Sequence, residues 1–347
     1  MRLYVYKLIK VLMLVFEIGV ISTAVIASEV CRDEPISKVA LANGGILAGH
    51  VISTINKQRQ VALDRGEDLD VVIIARKGSD LGRSVVLKDH TSDGRLATLE
   101  DIHRDLYKIE SNWYGDNYRD YLIPIKNLPN LKDPKRKVVY SHIGLAFRNH
   151  PLAEKIQMER NIPNKPWVIV HMLKPCGALI PNLYDEGIWN FFLDDPYEYG
   201  AKIVVPSYAL QKRIEQVVLY DKLSYNFLAP KYNIASLYND LNEQNSNHWV
   251  LEVIAASMAS RGQVRNRAEA IQVLEQTGFR PTRFYLRGIH QLAKIFGPDF
   301  VDFDTQRFAG ENLVEVVTAL SIVEWMQRHS LVISQHPIEL KQTIEEE

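Results

Sequence analysis

Residues 137–147 read KVVYSHIGLAF, and this mainly apolar, β-branched run predicts a strand. Side chains alternate between the two faces of a strand, so we expect His142, Gly144 and Ala146 on one face. Because two of these residues are small, a helix could approach that face and present a side chain to the imidazole. Taken alone, His142 is more typical of a partly buried strand histidine that hydrogen-bonds a backbone carbonyl.

A second predicted strand, residues 167–173, reads WVIVHML and carries one polar residue, His171. A buried polar group needs a hydrogen-bond partner. If the two strands are neighbours, His171 could orient His142 and fix its tautomer and ring plane, as the third member of a catalytic triad does. A core histidine with a local partner is the open alternative.

A third segment, QNSNHWV at residues 244–250, predicts the start of a helix and places Ser246 there. A nucleophile in this position gains from the positive end of the helix dipole. Backbone N–H groups near Ser246 and Asn247 could hold an oxyanion. The alternative is that Ser246 or Asn245 is an ordinary N-cap.

The rest of the chain predicts strands mixed with helices but no repeated βαβ unit, which indicates an α+β fold with an antiparallel sheet and packed helices. The further predicted helices cover residues 36–64, 208–220, 234–242, 247–259, 268–276 and 313–329. The further predicted strands cover residues 70–76 and 201–205. We expect one domain with insertions over residues 28–330 and a frayed tail over residues 331–347.

Composition narrows the classes of function. The 347 residues are 46% hydrophobic and 24% charged, with a formal net charge of −1, as in a packed globular protein. The chain has no excess of Lys and Arg over Asp and Glu, which would be expected of a nucleic-acid binder. Neither GxxxxGK[ST] nor GxGxxG occurs, so we expect no nucleotide partner. No cofactor is implied.

The N-terminal segment has the features of an export signal. Residues 1–27 combine an early positive charge with an apolar run and a small-residue cleavage site, which predicts a cleaved signal peptide and a periplasmic or otherwise exported protein. An uncleaved anchor is the alternative. In an oxidising compartment, the two cysteines, Cys31 and Cys176, predict one disulfide. Cys176 as a reactive thiol at the rim of a cleft is the competing interpretation.

The order of the three segments resembles the circularly permuted papain-like hydrolases, which include NlpC-type bacterial proteins and the lecithin retinol acyltransferase group. In those proteins the histidine precedes a nucleophilic cysteine at the start of a helix. The resemblance implies a permuted papain-like core, with His142 as base, His171 as orienting residue and Ser246 in the nucleophile position. The stretches YSHIGLAF, VHMLKPCG, LYDEGIWNFF and QNSNHWVLE more closely resemble an uncharacterised family of exported bacterial proteins, domain of unknown function 2145, over roughly residues 31–326.

The resemblance implies amide or acyl hydrolysis or transfer on cell-wall peptides or lipid-like acyl groups. A serine hydroxyl does not ionise near neutral pH, so Ser246 would need concerted help from its base. We expect the substrate-binding residues to be Asn245, Asn247, Trp249 and Arg76. The alternative function is a catalytically inactive envelope protein, either binding or structural, that retains the cleft.

Two groups of polar residues are set aside. His248 and Glu252 are four residues apart on a predicted helix and could bind zinc, but no HExxH spacing supports this. The acidic residues Asp185, Glu186, Asp194 and Asp195 flank the aromatic run WNFF. We expect these carboxylates to border a hairpin or loop over a buried aromatic cluster, with a lid over the cleft as the functional alternative.

Overall fold

A computed structural model describes residues 36–78, 85–88, 132–133, 135–175, 178, 180–193, 198–285 and 313–340. Its main element is a six-stranded antiparallel sheet in the order β11-β6-β1-β3-β4-β5. These strands are β1 (Val71–Arg76), β3 (His142–Phe147), β4 (Val168–Leu173), β5 (Asn182–Gly187), β6 (Gly200–Pro206) and β11 (Val332–Glu339). The predicted α+β class with an antiparallel sheet is confirmed.

Helices and short strands complete the described part of the chain. The helices are α1 (Lys38–Leu63), α2 (Pro151–Arg160), α3 (Ile188–Phe191), α4 (Tyr208–Glu215), α5 (Ser246–Met258), α6 (Arg267–Gln276) and α7 (Ala319–Arg328). A π-helical turn, Gln216–Tyr220, extends α4, and a 3₁₀ turn covers Ser224–Phe227. The strands β2 (Val85–Val86), β9 (Thr282–Tyr285) and β10 (Leu313–Val316) form a small sheet, and β7 (Lys231–Tyr232) pairs with β8 (Glu243–Gln244).

The six-stranded sheet is covered on both faces, because apolar residues point to both sides of its central strands. On one face, Ile143 and Leu145 of β3 join a buried cluster with α4, α5, α6 and α7. On the other face, Ala146 of β3 joins a cluster with α1 and α3. The central strands are therefore buried on both sides, and polar side chains within them must find partners inside the protein.

The predicted helix over residues 234–242 is wrong, because this segment forms turns. Side-chain oxygens here accept hydrogen bonds from the backbone: Asn233 Oδ1 from Ala235 N, and Asp240 Oδ1 from Asn242 N. Such local bonds offer the backbone an alternative to helical pairing.

Two C-terminal expectations also need correction. The predicted helix over residues 313–329 is divided into β10 and α7, since Thr318 caps α7 and exchanges hydrogen bonds with Ser321. The frayed tail predicted from residue 331 instead begins with β11, which pairs with β6. Pro337 lies within β11, and proline is tolerated there because β11 is an edge strand.

Helix α1 is the one element of the described residues that is long and apolar enough to cross a membrane. Its residues Leu47, Val51 and Ile55 are fully buried and pack in the cluster shared with the sheet. One side of α1 therefore packs against the sheet. The predicted signal peptide, residues 1–27, lies outside the described residues.

Candidate active site

Polar side chains from three neighbouring strands lie in a diagonal row on one face of the sheet. His171 of β4 is level with Gly144 of β3, and His142 is two residues earlier on that strand. Glu186 of β5 is paired with Ile169, two residues before His171. Because residues two apart share a face, the two histidines and the glutamate point to the same side.

Ser246 joins this row from the start of α5. His142 is the first residue of β3 and Ser246 the first residue of α5, so the two meet where strand and helix begin. Ser246 Oγ lies 3.0 Å from His142 Nδ1, and His142 Nε2 lies 2.8 Å from His171 Nδ1. The predicted association of His142, His171 and Ser246 is therefore present in the structure.

The outer end of the row is Glu186, with Oε1 2.8 Å from His171 Nε2. This contact is within ion-pair distance, but its angles are not those of a hydrogen bond. His171 is fully buried and Glu186 is 5% exposed. The four residues, Ser246, His142, His171 and Glu186, are called the relay below.

The contacts along the relay favour one set of proton positions. If Ser246 Oγ–H donates to His142 Nδ1, the remaining proton of a neutral His142 is on Nε2 and donates to His171 Nδ1. A neutral His171 then carries its proton on Nε2, facing the Glu186 carboxylate. These tautomers are inferred from the pairing of donors with acceptors. In this arrangement His142 can accept the proton of Ser246.

Burial keeps His142 neutral. Its pKa lies well below 6.5, first because the ring is desolvated and then because Arg76 and His171 disfavour a positive charge nearby. Arg76 is the cross-strand partner of His142, and its guanidinium stacks on the Phe191 ring at 4.7 Å. The same ring lies 5.5 Å from the ring of His142 and 5.1 Å from that of His171. Phe191 is thus an apolar cover for both imidazoles.

Gly144 is needed for the close approach of His171, not of a helix. A Cβ atom at residue 144 would lie 2.9 Å from Ile169 Cγ1 and 3.2 Å from His171 Cβ. Helix α5 packs instead on the opposite face of β3, against the side of Ile143 and Leu145. The helices on the Gly144 face are α1 and α3, and α3 places Phe191 against the His142 ring. A helix therefore covers that face as expected, but it is not the helix that carries Ser246.

Asn245 is the N-cap of α5, and this leaves the hydroxyl of Ser246 available. Asn245 Oδ1 accepts from Asn247 N, and Asn245 N donates to His248 Nδ1, which forms a capping box. The alternative interpretation of Ser246 as the helix cap therefore does not apply. The amide nitrogen of Asn245 donates to the Ile234 and Val317 carbonyls, so every polar group of its side chain serves the local structure.

The same bonds alter the expected oxyanion site. The N–H of Asn247 is occupied by Asn245 Oδ1 and that of His248 by Asn245 O, so the candidate donor is the N–H of Ser246. The Asn247 amide nitrogen donates to the carbonyls of Ser141 and Val317. Its Oδ1 is buried and has no partner among the described residues.

The other predicted site residues have different positions. Trp249 is fully buried in the core and donates from Nε1 to Ser224 O, which is a packing role. Arg76 is buried beside the relay and donates to Phe191 O. Cys31 and Cys176, and with them the predicted disulfide, lie outside the described residues, as do Asp194 and Asp195.

Glu186 is the relay residue that the sequence patterns alone do not reveal. They predict a hairpin or loop bordered by acidic residues here, whereas the structure has a strand, β5. Alternation along that strand sends Tyr184 and Glu186 to the relay face. Tyr184 is paired with His171, and Glu186 lies two residues after Tyr184 on the same face. This relation depends on the strand register, which the sequence does not contain.

His248 and Glu252, the suggested zinc ligands, belong to a separate buried group. His248 completes the capping box, and Glu252 Oε2 lies 3.0 Å from Arg267 Nε. Among the residues that the structure describes, no group of three His, Cys, Asp or Glu side chains could hold a metal ion.

The fold and site define a class: an α+β protein with a buried Ser–His–His–Glu row at the edge between a sheet and a helix. The chain belongs to the family described as "Uncharacterized protein conserved in bacteria (DUF2145)", which matches residues 130–326, more than half of its length. All four relay residues fall within the match. Comparison with curated proteins and with solved structures finds no match.

Proposed function

We propose that this chain is an exported serine hydrolase or acyltransferase in which Ser246 attacks an amide or ester carbonyl. The observation that supports this most is the 3.0 Å separation between Ser246 Oγ and His142 Nδ1. This distance is within the reach expected of a nucleophile and its general base. The contact of His142 Nε2 with His171 provides the third member that orients the base.

The proposed acylation uses groups already in position. Ser246 Oγ attacks the carbonyl carbon while His142 Nδ1 takes the hydroxyl proton. The N–H of Ser246 and the N-terminal end of α5 stabilise the negative oxygen that forms. His142 then returns the proton to the leaving group, and water or a second acceptor releases the acyl group from Ser246.

The substrate class and location of the enzyme are further parts of the proposal. The resemblance to permuted papain-like hydrolases supports a cell-wall peptide or a lipid-like acyl group as substrate. The features of residues 1–27 support export to the periplasm or beyond it. The permuted papain-like order of the core rests on the same resemblance.

A second candidate is an inactive envelope protein that binds ligands in the same cleft. The observation that favours it is that both proposed reactive residues are buried: Ser246 is 7% exposed and His142 is 5% exposed. Little of either side chain is therefore accessible to a substrate.

A fluorophosphonate probe separates the two candidates, because it phosphonylates activated serine hydroxyls and leaves ordinary ones unmodified. We expect a covalent adduct on the peptide that contains Ser246, detected by mass spectrometry, and its loss in Ser246→Ala. Ser207→Ala is the matched control, because Ser207 stands at the start of α4 and accepts from Leu210 N, far from the relay in sequence. An unlabelled wild-type protein would favour the binding protein, and labelling that survives Ser246→Ala would contradict the proposed nucleophile.

A further inference from the structure

Charged groups of opposite sign lie beside the two histidines of the relay. Arg76 is the cross-strand partner of His142, and Glu186 Oε1 contacts His171 Nε2 at 2.8 Å. Among the described residues, His171 is the only basic group within ion-pair distance of Glu186. A buried carboxylate is costly unless a positive charge or hydrogen bonds compensate it. A positive charge on His142 would therefore lie near the Arg76 cation, whereas a positive charge on His171 would lie beside the Glu186 carboxylate.

Proton transfer between the rings of His142 and His171 requires little free energy. In a Ser-His-Asp triad the carboxylate does not take up the proton of the histidine. Here the residue behind His142 is His171, another imidazole with the same unperturbed pKa. Transfer therefore breaks one imidazole N–H bond and forms another. The 2.8 Å separation of His142 Nε2 and His171 Nδ1 is short enough for direct transfer.

We propose that the positive charge formed when Ser246 attacks resides on His171, beside Glu186, and not on His142. This inference rests on the proposed function. The Ser246 O–H bond breaks as an N–H bond forms at His142 Nδ1. The His142 Nε2–H bond breaks as an N–H bond forms at His171 Nδ1. His142 is then neutral again, and His171, which keeps its Nε2 proton, is an imidazolium facing the carboxylate. The reverse sequence returns the proton to the leaving group.

The surroundings of His171 support this assignment. The titratable and charged groups that face it are His142 from β3 and Tyr184 and Glu186 from β5, and α3 contributes only the Phe191 ring. Burial also depresses the pKa of His142, which makes it a weak base on its own. Glu186 is thus a positioning residue, since it acts on the reacting atoms through His171.

Histidine NMR tests the location of the charge without requiring any reaction. In protein with ¹⁵N-labelled imidazoles, assigned with His142→Gln and His171→Gln, we expect the first proton added on acidification to protonate both nitrogens of His171. Neutral His142 should then change from the Nε2–H to the Nδ1–H tautomer. In Glu186→Gln this protonation should require a lower pH, and Glu186→Asp should restore it in part.

The outcomes distinguish this inference from the proposed function. If His142 becomes the imidazolium first, or if Glu186→Gln titrates like the wild type, the inference is overturned even where Ser246 reacts. If Ser246 is inert but His171 takes the first proton, the proposed function fails and the placement of charge holds. In a reactive protein, Glu186→Gln should reduce the phosphonylation rate by about 10- to 100-fold, with probe affinity unchanged. Glu252→Gln, which alters a different buried carboxylate, should leave that rate unchanged.

Discussion

Helix α5 takes part in two buried polar clusters built from the same residue types. At its first residue, Ser246 meets His142 and the rest of the relay. Two and six residues further along the helix, His248 and Glu252 meet their own partners. Both clusters contain histidine and glutamate shielded from water. They differ in how completely their polar atoms are used, and this difference separates a structural cluster from a reactive one.

In the second cluster every group is held by local partners. His248 Nδ1 accepts from Asn245 N and its Nε2 donates to Leu237 O. Arg267 contacts both oxygens of Glu252 and also donates to the carbonyls of residues 240, 241 and 243. Burial lowers the pKa of His248 to about 3 and raises that of Glu252 to about 7, in the latter case against the effect of Arg267. We call this set the Arg267 cluster.

The relay is instead a single file with a hydroxyl at one end. Each ring nitrogen has one contact along the row, and His142 Nδ1 faces a group that can give up a proton. Because each contact depends on the next, a change at one end alters the proton positions at the other. We therefore expect substitutions in the relay to change reactivity and substitutions in the Arg267 cluster to change stability.

The largest effect is expected from His142→Gln compared with His248→Gln. Loss of the general base should reduce phosphonylation of Ser246 by about 10²- to 10⁴-fold. Glutamine at residue 248 can still complete the capping box, so that variant should react like the wild type. The measurement is the second-order rate of adduct formation by intact-protein mass spectrometry. Equal losses in the two variants would show that the two clusters do not differ as described.

Arg267→Met should produce the largest loss of stability. It leaves Glu252 buried without its cation, which typically costs about 3–5 kcal/mol of unfolding free energy. Because burial places the pKa of Glu252 near 7, this carboxyl is neutral at pH 5, and the loss should be smaller there than at pH 8. Chemical denaturation at the two pH values measures this, with Glu186→Gln as the matched comparison. A loss that does not change with pH would argue against a buried, ionised Glu252.

Gly144→Ala tests the packing that brings His171 to His142. The added Cβ would lie 2.9 Å from Ile169 Cγ1, and such overpacking costs about 1–3 kcal/mol. It should also push His171 away and slow phosphonylation. Gly49→Ala in α1 is the control, because a Cβ there meets nothing within 4 Å, and alanine should stabilise the helix by about 0.5–1 kcal/mol. A Gly144→Ala variant with unchanged stability and rate would show that the close approach is unimportant.

Several parts of this account follow from sequence patterns alone. The apolar runs around His142 and His171 predicted their strands, and the polar segment before Trp249 predicted the start of α5. These three segments are enough to suggest that Ser246, His142 and His171 meet. What the patterns do not contain is the register between strands, which is set by packing across the sheet.

Glu186 and β11 show where sequence patterns are insufficient. Glu186 is buried in a strand that also carries the exposed residues Asn182 and Asp185, and such a polar sequence is typical of a loop until its partner strand is known. Strand β11 contains a proline and is only half-buried, so its pattern resembles a tail. In both cases the strand is defined by its pairing with a neighbouring strand, β6 for β11 and β4 for the strand that carries Glu186.

The central claim is that a neutral His142 activates Ser246, and the pH dependence of Ser246 phosphonylation tests it most directly. Burial holds the pKa of His142 well below 6.5, so His142 does not itself become an imidazolium as the pH falls through that value. We predict a rate that stays constant as the pH is lowered from 8 until the relay takes up its first proton, because a proton on His171 leaves His142 in the Nδ1–H form, which cannot accept from Ser246. A rate that rises in proportion to hydroxide throughout this range would show that Ser246 reacts without a base and would contradict the account.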